Sequence, residues 1–331
     1  MSIELQNVNG PLGIAPKRRS GSVRRTSTID MTWPAGFGTQ LRLEGRARDI
    51  LTLEAEASPV LIATASAQVG IGDNRTIEDI AVDPLRPGVE RLIGSRGGGY
   101  LRAALDEFLP GERAKGSPLY LLLDDISGTS LIAGFAWSRW TEDWLHAPRR
   151  APRPDMENVC IGFRTGSTAL IEQRDGMQSH RVQPVGSLLD PDDPSGWHEL
   201  LELPDVSMRR ARRIDVWEES DTIVIDSMFQ DSASDPQHGR VAIHEYALRA
   251  TADRATMTIT SIESDARVLP FMECPSAMGT AVAVIGAPLS DLRAVVLDRL
   301  SKANGCTHLN DALRALAEVP ILLGHLHGAA N

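Results

Sequence analysis

The chain has 331 residues, 42% of them hydrophobic and 24% charged, and a net charge of −10. That length is enough for two ordinary domains or one large one. The negative charge is spread along the chain, which argues against general affinity for nucleic acid or anionic membranes, since both need a positive field. The sequence does not open with a basic segment followed by an apolar one, and it has no run of about 18 apolar residues, so neither a signal peptide nor a membrane span is expected.

Cysteines occur only at Cys160, Cys274 and Cys306. Three is too few, and odd, for a disulfide framework, so a reducing cytoplasm is the expected setting.

Residues 1–21, rich in Gly, Pro, Asn and basic side chains, read as a flexible N-terminal arm. From residue 22 the chain carries features that recur in the same order much later. Arg24-Arg25, Ile29-Asp30 and Trp33 match Arg209-Arg210, Ile214-Asp215 and Trp217. An apolar-alternating stretch ending in acid follows each set, Leu41 to Asp49 and Ile223 to Asp231. Asp73 to Ile77 answers to Asp253 to Met257. Leu92-Ile93-Gly94 and the segment from Leu101 to Leu105 answer to Val284-Ile285-Gly286 and the segment from Leu292 to Val296. The reading is an internal duplication, with a first repeat over 22–145, a connecting segment over 146–207 and a second repeat over 208–331.

Within each repeat, strands precede helices. Thr256, Thr258 and Thr260 alternate with Met257 and Ile259, as in a strand. Apolar residues at Leu289, Leu292, Val296 and Leu300 have helical spacing, as do those at Leu309, Ala312, Leu313 and Leu316. In the first repeat, Leu101, Leu105, Phe108 and Leu109 give a helix before Pro110. The expected class is α+β, as two duplicated domains that form a pseudo-dimer. Each domain would be a mostly antiparallel sheet with helices packed on one face.

Shared features serve the fold, so features found in one repeat only are the candidates for function. From residue 22 to 140 there is neither Cys nor His, whereas the second repeat carries His244-Glu245, Cys274 and Gly305-Cys306-Thr307-His308. The counterpart of His244 falls near Ala63 or Thr64, and Ser117-Pro118-Leu119 stands where Cys306-Thr307-His308 stands. Cys306 just before a helix N-terminus would meet the positive end of the dipole and gain reactivity as a thiolate. His308 could act as its base. On a strand, His244 and Glu245 point to opposite faces, so only one of them can face a shared site. Asp226 and Asp231 are further acid/base candidates, although Asp49 occupies the equivalent place in the first repeat. The Gly97-Gly98-Gly99 run lacks the Lys-Ser/Thr of a phosphate loop. Trp137, Trp140 and Trp144 read as a packing cluster.

The segment from about 208 to 320 resembles a bacterial family known as domain of unknown function 2889. The residues that carry the resemblance are Ile243-His244-Glu245-Tyr246, Ala250 to Asp253, Cys274, Gly286 and Gly305-Cys306-Thr307-His308-Leu309. Family members have His-Asp where this chain has His244-Glu245. The resemblance implies that His244, Cys274, Cys306 and His308 occur together, and it implies no reaction. The order of strands, cysteine, helices and second cysteine is also distantly similar to iron–sulfur scaffold proteins, which use three cysteines at other spacings.

Three readings of function follow, the last being a ligand-binding or interaction protein whose cysteines are merely buried. One is an enzyme acting on a small, partly apolar organic molecule by lyase, isomerase or hydrolase chemistry, with Cys306, His308 and His244 at its site and Glu245 or Asp231 assisting. Another is a non-catalytic zinc- or iron-binding module with His244, Cys274, Cys306 and His308 as ligands, zinc being the natural cofactor for a tetrahedral nitrogen and sulfur set. The expected partners are a small molecule and a second copy of the chain as a homodimer, with no nucleic acid and no membrane.

Overall fold

A computed structural model describes residues 8–54, 56–141, 155–174 and 181–328. Trp144 and residues 146–154 of the expected connecting segment lie outside the described residues.

The chain forms nine strands and eight α-helices among these residues, the strands joined in one large sheet. In chain order, β1 is Ser22–Thr32, β2 Leu41–Thr52, β3 Val60–Ile71 and β4 Ile77–Asp83. Helices α1 (Gly99–Phe108), α2 (Glu112–Lys115), α3 (Pro118–Ile132), α4 (Phe135–Trp140) and α5 (Thr168–Arg174) come next, then the short strand β5 (Gln183–Pro184). Strands β6 (Ser207–Glu219), β7 (Thr222–Asp235), β8 (Gly239–Asp253) and β9 (Thr258–Val268) follow. Helices α6 (Leu292–Arg299), α7 (Thr307–Ala315) and α8 (Val319–Gly328) close the described chain. The expected α+β class with an antiparallel sheet and helices is observed.

The sheet runs β4-β3-β2-β1-β6-β7-β8, with β5 and β9 both pairing with β8, and every pairing is antiparallel. The strands before and after the helical segment are therefore ordered symmetrically about the β1–β6 pair. That pair is held by two bidentate ion pairs. Arg24 binds Asp215 at 2.6 and 3.0 Å, and Arg209 binds Asp30 at 2.6 and 2.9 Å. All four residues are buried. Fork-to-carboxylate geometry satisfies the charges that burial would otherwise penalise.

Alternation along β1 sends Arg25, Ile29 and Met31 to the helix-covered face, while Arg24, Thr26, Thr28 and Asp30 face the other way. Arg25 meets Gly116 O and Glu318 from the helices, and Arg24 meets Pro16 O and Gly196 O. The second face is covered by chain segments. Arg18 binds Asp193, Leu12 N donates to Glu245, and Leu188 and Trp197 pack on Ala211 and Met228. Residues 9–18, expected as part of a flexible arm, are thus tied onto this face, because their backbone groups find partners there. Asp190 to Asp193 form a turn, with Asp193 N donating to Asp190 O at 3.0 Å.

Pro118–Trp140 is long and apolar enough to cross a membrane, although no such run was expected, and 72% of its apolar window is buried inside the fold. Leu119, Leu122, Leu123 and Ile126 pack there with residues of the first strands. The Gly97-Gly98-Gly99 run leads into α1. Trp137 stacks edge-on against Trp33 at 5.4 Å, and Trp140 Nε1 donates to Ser234 O at 3.2 Å.

Candidate functional site

The site grows from two paired strands and one helix start. On β7 and β8, Asp231 lies directly opposite His244 and Phe229 directly opposite Tyr246. The register shifts just after Asp231, so a bulge marks this point of the ladder. Helix α7 begins above these strands. Cys306 is its N-cap, and its apolar stripe of Leu309, Ala312 and Leu313 is buried in the core. Two residues into the helix, His308 drops onto His244.

The two imidazoles stack with centroids 3.4 Å apart and planes 18° from parallel. His308 Nε2 is 3.6 Å from Asp231 Oδ2, and His244 Nδ1 is 4.0 Å from the same oxygen. Ligand atoms of Asp231, His244 and His308 all lie within 4.8 Å of one another.

Arg210 grips both oxygens of Asp231, Nε to Oδ1 at 2.8 Å and Nη2 to Oδ2 at 2.9 Å, and its Nη1 reaches Asp311 at 3.2 Å and Asp125 at 3.4 Å. Arg212 pairs with Asp125 through two contacts of 2.6 Å. Both guanidiniums lie over the Phe229 ring, at 4.8 and 4.6 Å. Gly128 of α3 makes room, since a Cβ there would lie 2.2 Å from Arg210 Nη1.

Burial works against the charge of Arg210, but Asp231, Asp125 and Asp311 outweigh it and raise its pKa. His308 is pushed well below the ordinary histidine range, first by burial and then by Arg210 and Arg212. It is therefore a neutral ring with a lone pair to offer.

The structure divides the residues singled out in the sequence. His244, His308 and Asp231 come together. Cys306 and Cys274 belong to a different group. Cys306 Sγ is 3.0 Å from Tyr246 Oη and buried. Burial raises its pKa, against the opposing pull of Tyr246 and the N–H groups of Leu309 and His308. Burial thus works against the reactive thiolate expected at the helix start, since desolvation opposes the favourable N–H groups there. Cys274 begins a 3₁₀ segment, Cys274–Val284, after β9. A carbon placed on Gly162 would lie 2.8 Å from Cys274 Sγ and 3.7 Å from Cys160 Sγ. Ile161 N donates to Gly305 O at 2.9 Å and ties this loop to the start of α7. Three thiols from distant parts of the chain thus gather beside Tyr246, apart from the histidines. The four-ligand set of His244, Cys274, Cys306 and His308 is not among the groups whose ligand atoms meet in the described residues.

Glu245 faces away from His244, as strand alternation requires. Its Oε1 accepts from Leu12 N at 2.5 Å and its Oε2 from Gln230 Nε2 at 2.8 Å. It is therefore separated from the His308 site by the thickness of the sheet. Asp226 pairs with Arg213 on that same outer face.

Arg210, Arg212, Asp125 and Asp311 were missed as parts of the site. Arg210 was legible only as half of the repeated Arg-Arg pair, and nothing in the sequence tied it to Asp231.

No curated protein and no solved structure matches the chain. Residues 208–322, which run from β6 into α8 and include Asp231, His244, Cys274, Cys306 and His308, match the model of a family described as a protein of unknown function (DUF2889).

Proposed function

We propose that the protein binds a divalent transition-metal ion, zinc or ferrous iron, through Asp231, His244 and His308. The observation that carries this reading is the convergence of their ligand atoms within 4.8 Å. Two imidazoles and one carboxylate are the borderline and hard donors such ions accept. The low proton affinity of His308 keeps its lone pair available at neutral pH. Arg210, bonded to both oxygens of Asp231, orients the carboxylate as an outer-shell partner does in metal sites.

The test is metal content and zinc calorimetry on purified protein. His308→Ala should weaken zinc uptake roughly tenfold or more, while Cys306→Ser should leave it in place. Folded, metal-free protein that takes up no zinc would sink the reading, and so would zinc uptake lost with Cys306 but kept without His308.

A second reading is acid–base catalysis on a small, partly apolar molecule, with His308 exchanging a proton beside Asp231. The 3.6 Å approach of His308 Nε2 to Asp231 Oδ2 favours it. Activity that survives a chelator would separate it from the metal reading.

We further propose that the chain is a duplication whose halves, 22–145 and 208–331, pack as a pseudo-dimer. The symmetric strand order and the reciprocal pairs Arg24–Asp215 and Arg209–Asp30 support this. So does a repeated turn. Gly94 N donates to Ile77 O and Gly286 N to Ile259 O, both glycines with positive φ, at 89° and 81°. A reducing cytoplasm and homodimer formation belong to the same proposal.

A further inference from the structure

Arg210 holds Asp231, and Arg210 is itself seated on a helix that lies outside residues 208–322. That helix is α3. Its Asp125, 5% exposed, accepts from both arginines of β6. Arg212 donates through Nε and Nη2, each at 2.6 Å, and Arg210 through Nη1 at 3.4 Å. Among the described residues, Asp125 is the only carboxylate paired with Arg212. The other hydrogen bond of Arg212 goes to the backbone carbonyl of Asp311 at 3.1 Å.

Gly128 stands three residues beyond Asp125 and so shares its face of α3. A Cβ there would lie 2.2 Å from Arg210 Nη1 and 2.7 Å from Asp311 Oδ2. The guanidinium therefore rests on bare helix backbone. Any side chain at position 128 would push Arg210 away from the place where it orients Asp231.

The charges show why a carboxylate is needed here. Arg210 and Arg212 stand close enough to His308 to disfavour positive charge on it. A divalent ion held by Asp231, His244 and His308 would bring more positive charge to the same buried place, where repulsion is weakly screened. Asp231 would be turned to the ion. Asp311 is shared with Arg314 at 2.9 Å and Arg102 at 3.7 Å. Asp125 is the carboxylate left to balance Arg212.

We infer that Asp125 and Gly128 are positioning residues for the metal site, Asp125 by balancing Arg210 and Arg212 beside the ion and Gly128 by letting Arg210 reach Asp231. The inference rests on the metal reading and adds that a helix of the first half completes a site whose ligands all lie in the second. Zinc calorimetry on the full chain tests it. Asp125→Asn keeps the shape and removes the charge, and should weaken zinc binding about tenfold, as should Gly128→Ala. Arg212→Met removes a cation beside the ion, and should bind zinc more tightly than the wild type. The double variant Asp125→Asn with Arg212→Met loses one charge of each sign, and should win back most of what Asp125→Asn loses. A merely structural Asp125 predicts no such rescue, because the double variant makes still fewer bonds. Wild-type affinity in folded Asp125→Asn or Gly128→Ala, a double variant as weak as Asp125→Asn, or folded Arg212→Met that binds no more tightly would each overturn the inference. The metal reading would survive those results so long as uptake still depends on His308, whereas wild-type protein that takes up no zinc would overturn both.

Discussion

Arg25 with Asp49 and Arg210 with Asp231 are the same grip made twice. Arg25 holds Asp49 through Nε at 2.6 Å and Nη2 at 2.5 Å, much as Arg210 holds Asp231. Both carboxylates sit beside a register shift, Asp49 before Ile50 and Asp231 before Ser232. The neighbours differ. Ala63 stands opposite Asp49, whereas His244 stands opposite Asp231. Two residues into the overlying helix the first half has Leu119 and the second His308, counted from Ser117 and Cys306 as N-caps. One arrangement is a closed structural pair. The other adds two imidazoles to the same pair and so gains groups able to hold an ion or move a proton. The grip is a device of the fold, and chemistry enters only through what surrounds it.

The largest effect should come from breaking the closed pair. Asp49→Ala leaves Arg25 buried with Glu318, a carboxylate it shares with Arg293, and should cost about 3–5 kcal/mol in urea unfolding. Asp231→Ala leaves Arg210 with both Asp125 and Asp311, so it should cost less while removing zinc uptake. If Asp231→Ala were the more destabilising change, the contrast drawn here would fail.

The next effect concerns pH and the seam between the halves. His198 is buried, with Nδ1 2.9 Å from Thr26 Oγ1 and Nε2 2.8 Å from Thr28 Oγ1. Burial, then Arg48, Arg209 and Arg46, lower its pKa from 6.5 to about 3. The unfolded state therefore binds this proton first as pH falls. Stability from the neutral ring is present above pH 6.5 and is lost progressively towards pH 3. His198→Gln should flatten the fall in Tm over that window. An unchanged pH profile would remove His198 from the account. Across the β1–β6 pair Thr26 and Thr28 stand opposite Arg213 and Ala211, so the hydroxyls that hold His198 come from the β1 side of the seam.

The smallest effect is at the helix starts. Ser117 Oγ accepts from Tyr120 N at 3.3 Å, so Ser117→Ala should cost about 1 kcal/mol. The Cys306 thiol, engaged by Tyr246 Oη, meets the Leu309 and His308 N–H groups only as a weak acceptor short of a cap hydrogen bond, so Cys306→Ala should lose less of that capping. Equal losses from capping in thermal denaturation would show that the two starts are not distinguished in this way.

Much of the strand framework was legible because charged residues inside strands are conspicuous. Arg24-Arg25 and Ile29-Asp30 stood out against their later counterparts, and the counterpart of His244 was placed near Ala63 or Thr64. The strand periodicity of two also separated Glu245 from His244. The link between Cys160 and the start of α7 was not legible, because a loop contact such as Ile161 N to Gly305 O leaves no periodic trace. The same is true of the contact between Arg212 and Asp125, which lie 87 positions apart. Burial of Cys306 was hidden for a related reason, since local helix position indicates the dipole but not the desolvation.

The β1–β6 seam also has a consequence for the chain as it is made. Arg24 and its partner Asp215 are 191 positions apart, so β1 emerges long before the strand that covers it. Until Ser207–Glu219 is made, one side of Ser22–Thr32 is an open edge with free N–H and C=O groups. Such edges invite pairing with other chains unless charge discourages it. Arg24 and Asp30, later locked in buried pairs with Asp215 and Arg209, are unpaired charges at that stage. The side chains that join the finished sheet therefore also protect the unfinished one.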